Sequence, residues 1–505
     1  MENGRLVIIS DLIPNGNVAH DKVIIPQIIN NTLPFHKKNV DDIARLVNYY
    51  YNKTDIELKT KTQQPQINNK IGVAYANMAV TTINAYCFAN PLTFASRSSD
   101  LKVQDQIKAF NDALDDDNYS NKTAIVELNS GMCGVGYKYI KPASEDLRAE
   151  GRFFETVGDL DPQKTYIVRA NNLKKDKILA IHFYEENKYD EKGVKTDTVT
   201  VYNVWTKTHY WIFEQNKKNE FVVRKQQMGD KEIIAYPLVY KRIPIVEYPR
   251  KQDRTSDFEI GLALINGINA LASSRVDNVQ QNVDYILLLR DIDTESDGAI
   301  ERIKEFVKQG ILSFSSNQNA MVQPDVSVLD VKLNQSEIQT LQDFLCDKLE
   351  EVLNIPNRET RSSGGDTGSA VESRNGFRSL ENIAGLVTLS AKEAENETLD
   401  IILSIASNYA DCPFKDLKAR DIEIKSNRNV IENLTTNTNA YSALRSAGMN
   451  DIDALTICRL TPDAISTAKR NEQYQIDKEN REKEKIGTQT QVNKNTDNNN
   501  GTINE

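Results

Sequence analysis

The chain has 505 residues, 39% hydrophobic and 27% charged, with 62 Lys and Arg against 72 Asp and Glu, a formal net charge of -10 and a pI of about 5.3. That length leaves room for roughly two to four domains with well-buried cores, and the acidic balance excludes a protein that draws nucleic acid to itself through a broad positive field. The cysteines Cys87, Cys133, Cys346, Cys412 and Cys458 are scattered and form no C-x-x-C pair, which argues against a disulfide framework or a zinc site and for reduced thiols.

In chain order, the start (Met1 to Arg5, a short apolar run, then Asp11) has no basic n-region or cleavable apolar segment, and no stretch approaches a membrane span, so no anchor is expected. Val40, Ile43, Leu46 and Val47 have the spacing of one helical face and predict a helix over 40–52. A polar loop from Lys59 to Asn69 precedes a second helix over 70–88, with Ile71, Ala74, Tyr75, Met78, Ile83 and Tyr86 as its buried stripe and Asn90-Pro91 as its stop. A short helix follows over 101–114, and Asp115 to Asp117 read as a solvated turn. After the glycine-rich segment Gly131 to Gly136, the runs YKYI, TYIVRA, ILAIHFYEE, TVTVYNVWT, HYWIFEQ and EFVVRKQ predict antiparallel strands and hairpins. Ile243 to Tyr248 adds a last strand whose proline suits an edge or a strand start.

From Asp257 to Asp284 there is no proline, and Leu262, Ile265, Ile268, Leu271, Val276 and Val279 predict a helix roughly 40 Å long. Residues 285–333 read as a small α/β insert with a strand at Ile286 to Leu289 and a helix at Ala299 to Gln309. A partner helix follows over Gln335 to Leu353 and halts at Ile355-Pro356. The stretch Asn357 to Gly368 is polar, with three glycines, and cannot pack a core. A long helix is expected from Ser369 to about Tyr409, a strand over 420–428, two or three short helices over 434–474, one of them opening at Thr461-Pro462-Asp463, and a disordered, low-complexity tail.

Candidate chemistry is sparse. No Gly-Lys dipeptide occurs among the 22 glycines, so there is no Walker A loop, and the Gly131 to Gly136 cluster reads as a tight turn or close backbone packing. His20, His36, His182 and His209 are far apart and join no nucleophile elbow or H-E-x-x-H helix. Asp293, Glu295, Asp297 and Gly298 approach a calcium loop, but Lys304 stands where its glutamate would be, and the carboxylates suit the positive end of a helix starting near Ala299. The expectation is therefore a protein that is no enzyme and holds neither cofactor nor metal.

The order helix, insert, antiparallel helix, pliant loop, long helix resembles that of the portal proteins, or head-to-tail connectors, of tailed bacteriophages, particularly those from phages with long non-contractile tails. The residues that carry the likeness are Asn68 to Gly72 through Ala85 to Phe94, Ile243 to Tyr248 leading into Asp257-Phe258-Glu259, and Thr367-Gly368-Ser369-Ala370, over roughly residues 40–430. The resemblance implies an α+β portal fold. Its parts would be an N-terminal arm (1–24), an α+β wing (25–256 with 369–430), a long-helix stem (257–284 and 334–355), a small α/β clip (285–333), a tunnel loop (356–368), a helical crown (431–475) and a disordered tail (476–505). It also implies a homo-oligomeric ring of twelve subunits at one capsid vertex of the virion, assembled in the host cytoplasm. Double-stranded DNA would pass through it non-specifically, and terminase, head-completion or adaptor proteins, and major capsid and scaffolding proteins would be its partners.

Charge supports that picture. The first stem helix has Asp257, Glu259, Asp277 and Asp284 against Arg275, and the second has Glu337, Asp343, Asp347, Glu350 and Glu351 against Lys348. Acidic walls repel phosphates and let DNA slide, whereas bound lysines would hold it. In the loop, Arg358 and Arg361 beside Glu359 and Asp366 would touch DNA lightly, while its serines and glycines, Ser362, Ser363, Gly364, Gly365 and Gly368, would let it follow the groove; Thr360 and Thr367 complete the DNA-facing stretch. Another virion structural protein, such as a scaffold or minor capsid component, would share the acidic tail without this element order. A packaging ATPase or nuclease would need ATP or metal.

Overall fold

The structure, a computed structural model, describes residues 4–62, 65–98, 100–216, 219–228, 231–283, 287–290, 298, 301, 304, 305, 325–328, 335–356, 377–428, 434–458, 460–461 and 464–497. It opens with strand β1 (Ile8–Ser10) and the 33-residue helix α1 (Val18–Tyr50). The Asn17 side chain caps α1, accepting from the backbone N–H groups of Ala19 and His20. Ile25, Ile28, Ile29, Thr32, His36, Asn39, Ile43, Leu46 and Tyr49 form its single buried stripe. The helix predicted over 40–52 thus begins far upstream and runs through Pro26 and Pro34, each of which costs roughly 3 kcal/mol in a helix interior. Complete burial of Ile25, Ile28 and Ile29 against the sheet outweighs that local cost, and the expected N-terminal arm 1–24 is strand and helix packed on the body.

Helix α2 (Tyr75–Phe88) starts at Tyr75 rather than Lys70, and it buries Ala76, Ala79, Val80, Ile83, Cys87 and Phe88. Of the expected stripe only Ile83 is buried: Tyr75, Met78 and Tyr86 sit at the edges, where long amphipathic side chains keep one end wet. Strand β2 (Thr93–Ser96) and helix α3 (Leu101–Asp116) follow, and then α4 (Tyr119–Cys133), a helix that no sequence periodicity announced. Asp115 and Asp116 are exposed at the end of α3, but Asp117 is buried rather than solvated: it accepts from the Thr156 backbone at 3.2 Å and pairs with Lys122 at 2.8 Å.

The β-branched and aromatic runs are strands, as expected. They are β3 (Val135–Pro142), then a short helix α5 (Glu145–Ala149), β4 (Phe154–Val157), β5 (Thr165–Ala170), β6 (Lys177–Tyr189), β7 (Lys195–Trp205), β8 (His209–Gln215), β9 (Phe221–Val223), β10 (Gln226–Met228), β11 (Lys231–Ile233), β12 (Tyr236–Pro237) and β13 (Ile245–Pro249). The largest sheet has the order β1-β5-β6-β7-β8-β12 with β9 also on β8, and all its pairings are antiparallel except β1 with β5. A second sheet, β13-β3-β4, places β13 at an edge, as its proline suggests.

Beyond β13 come α6 (Leu262–Val283), the antiparallel pair β14 (Leu287–Arg290) and β15 (Asp325–Val328), α7 (Gln335–Leu353) and α8 (Phe377–Ala406). β16 (Ile422–Lys425) then pairs antiparallel with β2, which returns the chain to the body it began in. α9 (Leu434–Ser446), α10 (Asp451–Ile457) and α11 (Ala464–Asp497) complete the fold. The α+β class read from the sequence holds. The tail expected to be disordered from residue 476 is helical through Asp497, because polarity speaks only against burial: its Lys, Glu, Gln and Arg residues are good helix formers. The remainder of that tail, the insert helix 299–309, the start of the long helix at 369–376, the Thr461-Pro462-Asp463 opening and the acidic run 293–297 lie largely outside the described residues.

Candidate functional site

The glycine-rich segment explains how α6 is attached. Gly131 and Gly134 let α4 lie directly against the stretch after β13: a Cβ on Gly131 would stand 2.8 Å from Asp257 Oδ2, and one on Gly134, at φ +84°, 2.1 Å from the Arg254 carbonyl oxygen. The segment is close backbone packing, as the sequence suggested, and the partner is the lead-in to α6. The Arg250 amide donates to the Gly134 carbonyl at 3.0 Å, and the Asp257 amide to the Gly131 carbonyl at 3.0 Å.

Those approaches enclose a group of buried charges. The fully buried Arg250 guanidinium grips Asp257 in a two-pronged pair, Nε to Oδ1 at 2.9 Å and Nη2 to Oδ2 at 2.7 Å, and Nη1 reaches the Glu127 carbonyl at 3.4 Å. Arg5 donates to Glu259 at 2.5 Å and to the Cys133 carbonyl at 3.3 Å. Glu247 on β13 takes Arg254 at 2.6 Å and Arg169 at 2.8 Å; burial raises its pKa, but the two guanidiniums prevail and hold it at about 2. Deeper still, Lys138 on β3 pairs with Glu395 on α8 at 2.8 Å, both completely buried, and Tyr119, Thr123 and Tyr248 close the cluster through their hydroxyls. Burial lowers the pKa of Lys138 and Glu395 opposes that. The start of α6 and the middle of α8 are therefore both locked to one small sheet.

Burial, countered by Arg250, raises the Glu127 carboxyl from 4.5 to about 7. The folded state holds that proton more tightly than the unfolded chain, so this group's contribution to stability is greatest below pH 4.5 and declines as pH rises through 7. Glu127→Gln is expected to raise the thermal midpoint at pH 8 and leave it nearly unchanged at pH 4.5. Equal shifts at both values would contradict the protonation.

A second attachment runs along α6. Asn269, Ser273 and Asp277 form a polar row that takes the backbone of the segment before α2: the amides of Val73, Ile71 and Asn69 donate to them at 2.9, 2.9 and 2.7 Å. Lys59 adds an ion pair to Asp277 at 2.7 Å. This row holds residues 69–73 extended, which is why α2 starts late.

These contacts correct the charge reading of the first helix. Asp257, Glu259 and Asp277 are engaged by Arg250, Arg5 and Lys59 inside the chain and do not form an acidic wall. Asp284 lies outside the described residues, as does the whole expected tunnel loop from Arg358 to Gly368.

The second helix differs. α7 runs antiparallel to α6, with Leu349 and Leu353 against Gly261 and Gln342 accepting from Arg275 at 2.8 Å. Leu345, Leu349 and Leu353 turn inward, while Glu337, Asp343, Asp347, Lys348 and Glu351 are exposed and Glu350 half-buried. Lys348 is neutralised by Glu351 at 2.6 Å, and Asp343 accepts from Gln339 at 2.6 Å. With 3.6 residues per turn, Asp347 and Glu351 occupy the edge facing directly away from α6, and Asp343 and Glu350 flank it.

Among the described residues no three His, Cys, Asp or Glu side chains gather to hold a metal, no helix is long and apolar enough to cross a membrane, and all five cysteines are free. What the fold offers is two long antiparallel helices held against an α+β body. That architecture has a family: the chain belongs to the phage portal proteins of the SPP1 Gp6-like type, whose family model matches residues 31–499. It is thereby a structural component of the virion, the ring-forming head-to-tail connector class of the capsid vertex. Among curated relatives, the portal protein of Bacillus phage SPP1 is 23% identical over 387 residues, covering 71% of this chain and 67% of that protein. Family membership sustains the connector expectation over the scaffold and minor-capsid alternatives.

Proposed function

We propose that twelve copies of the chain close a ring around a tunnel through which double-stranded DNA enters the capsid during packaging and leaves during ejection, with α6 and α7 as the stem that walls it. The observation that carries this is the double attachment of α6, which fixes a long helix pair to the body while leaving the outer edge of α7 carboxylate-rich. A rigid wall keeps a bore open, and a carboxylate edge gives phosphates no salt-dependent well to settle in. The wing comprises 25–256 with 369–430 and meets the major capsid and scaffolding proteins; 431–475 is the crown. Residues 285–333, to which the β14–β15 pair belongs, form the clip that docks terminase and later the head-completion or adaptor proteins. The loop 356–368 touches the DNA through Arg358 and Arg361, and its glycines let it track the groove. Assembly takes place in the host cytoplasm.

The test is packaging by phage carrying Asp347→Lys, Glu350→Lys and Glu351→Lys together, with Gly364→Val and Gly365→Val as a separate arm. Rings should form in both, and packaged DNA should fall in both. Full packaging with intact rings in the first arm would remove the stem assignment, and in the second the loop assignment.

A further inference from the structure

The deepest ion pair of the body has the surroundings of a reaction site. Lys138 Nζ stands 2.8 Å from Glu395 Oε1 and 2.8 Å from Thr123 Oγ1, and it lies 4.1 and 4.7 Å from the ring centroids of Tyr119 and Tyr248. Two phenols also donate to Glu395, Tyr248 to Oε1 at 2.9 Å and Tyr119 to Oε2. All five side chains are buried, the lysine and the carboxylate completely.

Two full charges are costly to keep in such a place, because desolvation takes back much of what their attraction gives. A neutral link between the same two groups removes that cost. The hydrogen bond already holds amine and carboxyl in contact, and such placement is worth an effective molarity on the order of 10⁵ M or more. A closed site also keeps bulk water from reversing a condensation. Burial lowers the pKa of Lys138, with Glu395 opposing it, and so favours the uncharged amine that a nucleophile must be.

We propose that Lys138 and Glu395 condense into an isopeptide bond that ties β3 to α8. Lys138 passes one proton to Oε1 along their hydrogen bond, and its uncharged Nζ attacks Cδ. The tetrahedral centre carries its negative charge on Oε2, where the Tyr119 hydroxyl donates to it. A second Nζ proton then reaches Oε1 by way of the Thr123 hydroxyl, the Cδ–Oε1 bond breaks and water leaves. The new amide keeps the third Nζ hydrogen, and Oε2 becomes its carbonyl oxygen. Nothing is oxidised or reduced, and no co-reactant is consumed. The two residues are 257 positions apart, so the bond closes a covalent loop that carries β4 through β13 and the whole α6–α7 pair.

The full chain is purified in its folded form, denatured and weighed intact, and its tryptic peptides are mapped. Wild type is expected to be one water lighter than its sequence, with the peptide that holds Lys138 joined to the one that holds Glu395. Lys138→Met is expected at its full sequence mass. A folded wild type at full sequence mass overturns the bond. A lost water without the joined peptide overturns it as well, as does the same loss in Lys138→Met. If removal of the lysine unfolds the chain, the wild-type mass and peptide map decide alone.

Discussion

Arg250→Ala is expected to destabilise the protein by about 3–5 kcal/mol, the penalty for stranding buried charges by removing one partner. Its guanidinium answers Asp257 and stands beside Glu127, all three shut away from solvent. Without it, Asp257 at the entry to α6 has its carboxylate buried and uncompensated. The unfolding midpoint in denaturant should drop with an unchanged slope. Arg250→Met with Asp257→Leu should recover part of the loss, because an apolar pair avoids the desolvation penalty. A single replacement that leaves the midpoint in place would mean that the charges are not what holds α6 to the body.

The second large effect is expected at Gly134. Its φ of +84° is strained for any L residue, and the new Cβ would meet the Arg254 carbonyl oxygen at 2.1 Å. Because that obstacle is backbone, it has no rotamer to swing away, and Gly134→Ala is expected to cost about 2–4 kcal/mol. Gly193 has a similar φ of +76° with nothing within 4 Å. Gly193→Ala should therefore show only the backbone strain, about 1 kcal/mol. Equal losses at both positions would mean that backbone strain, and not the contact between α4 and the stretch leading into α6, is what Gly134 serves.

Local pattern made the strands and the helix pair legible, because alternation and the 3.6-residue period act over a few turns. It failed where a distant contact overrode it. α1 passes through two prolines only because a sheet formed by residues far along the chain buries Ile25, Ile28 and Ile29. α4 has no apolar stripe for periodicity to find: Glu127, Ser130 and Gly131 are buried in it beside Val126, since its neighbours are a charged network and a closely packed backbone.

The charges of α6 show the same limit. A count of carboxylates does not reveal which way they point, and the partners of Glu259 and Asp277, Arg5 and Lys59, lie more than 200 residues away in sequence. One signal was present: Asn269, Ser273 and Asp277 recur every four residues within a largely apolar helix, the mark of a second, polar contact face. On α7 Glu337, Asp343, Asp347 and Glu351 are exposed, because no body element covers that side among the described residues.

A three-dimensional electron-microscopy reconstruction of the assembled full-length chain tests the central claim most directly. The expected map is a closed ring with a central pore, α6 and α7 of every copy standing in its wall and the β-rich body on its periphery. A map with the helix pair remote from the symmetry axis, or particles without a pore, would contradict it.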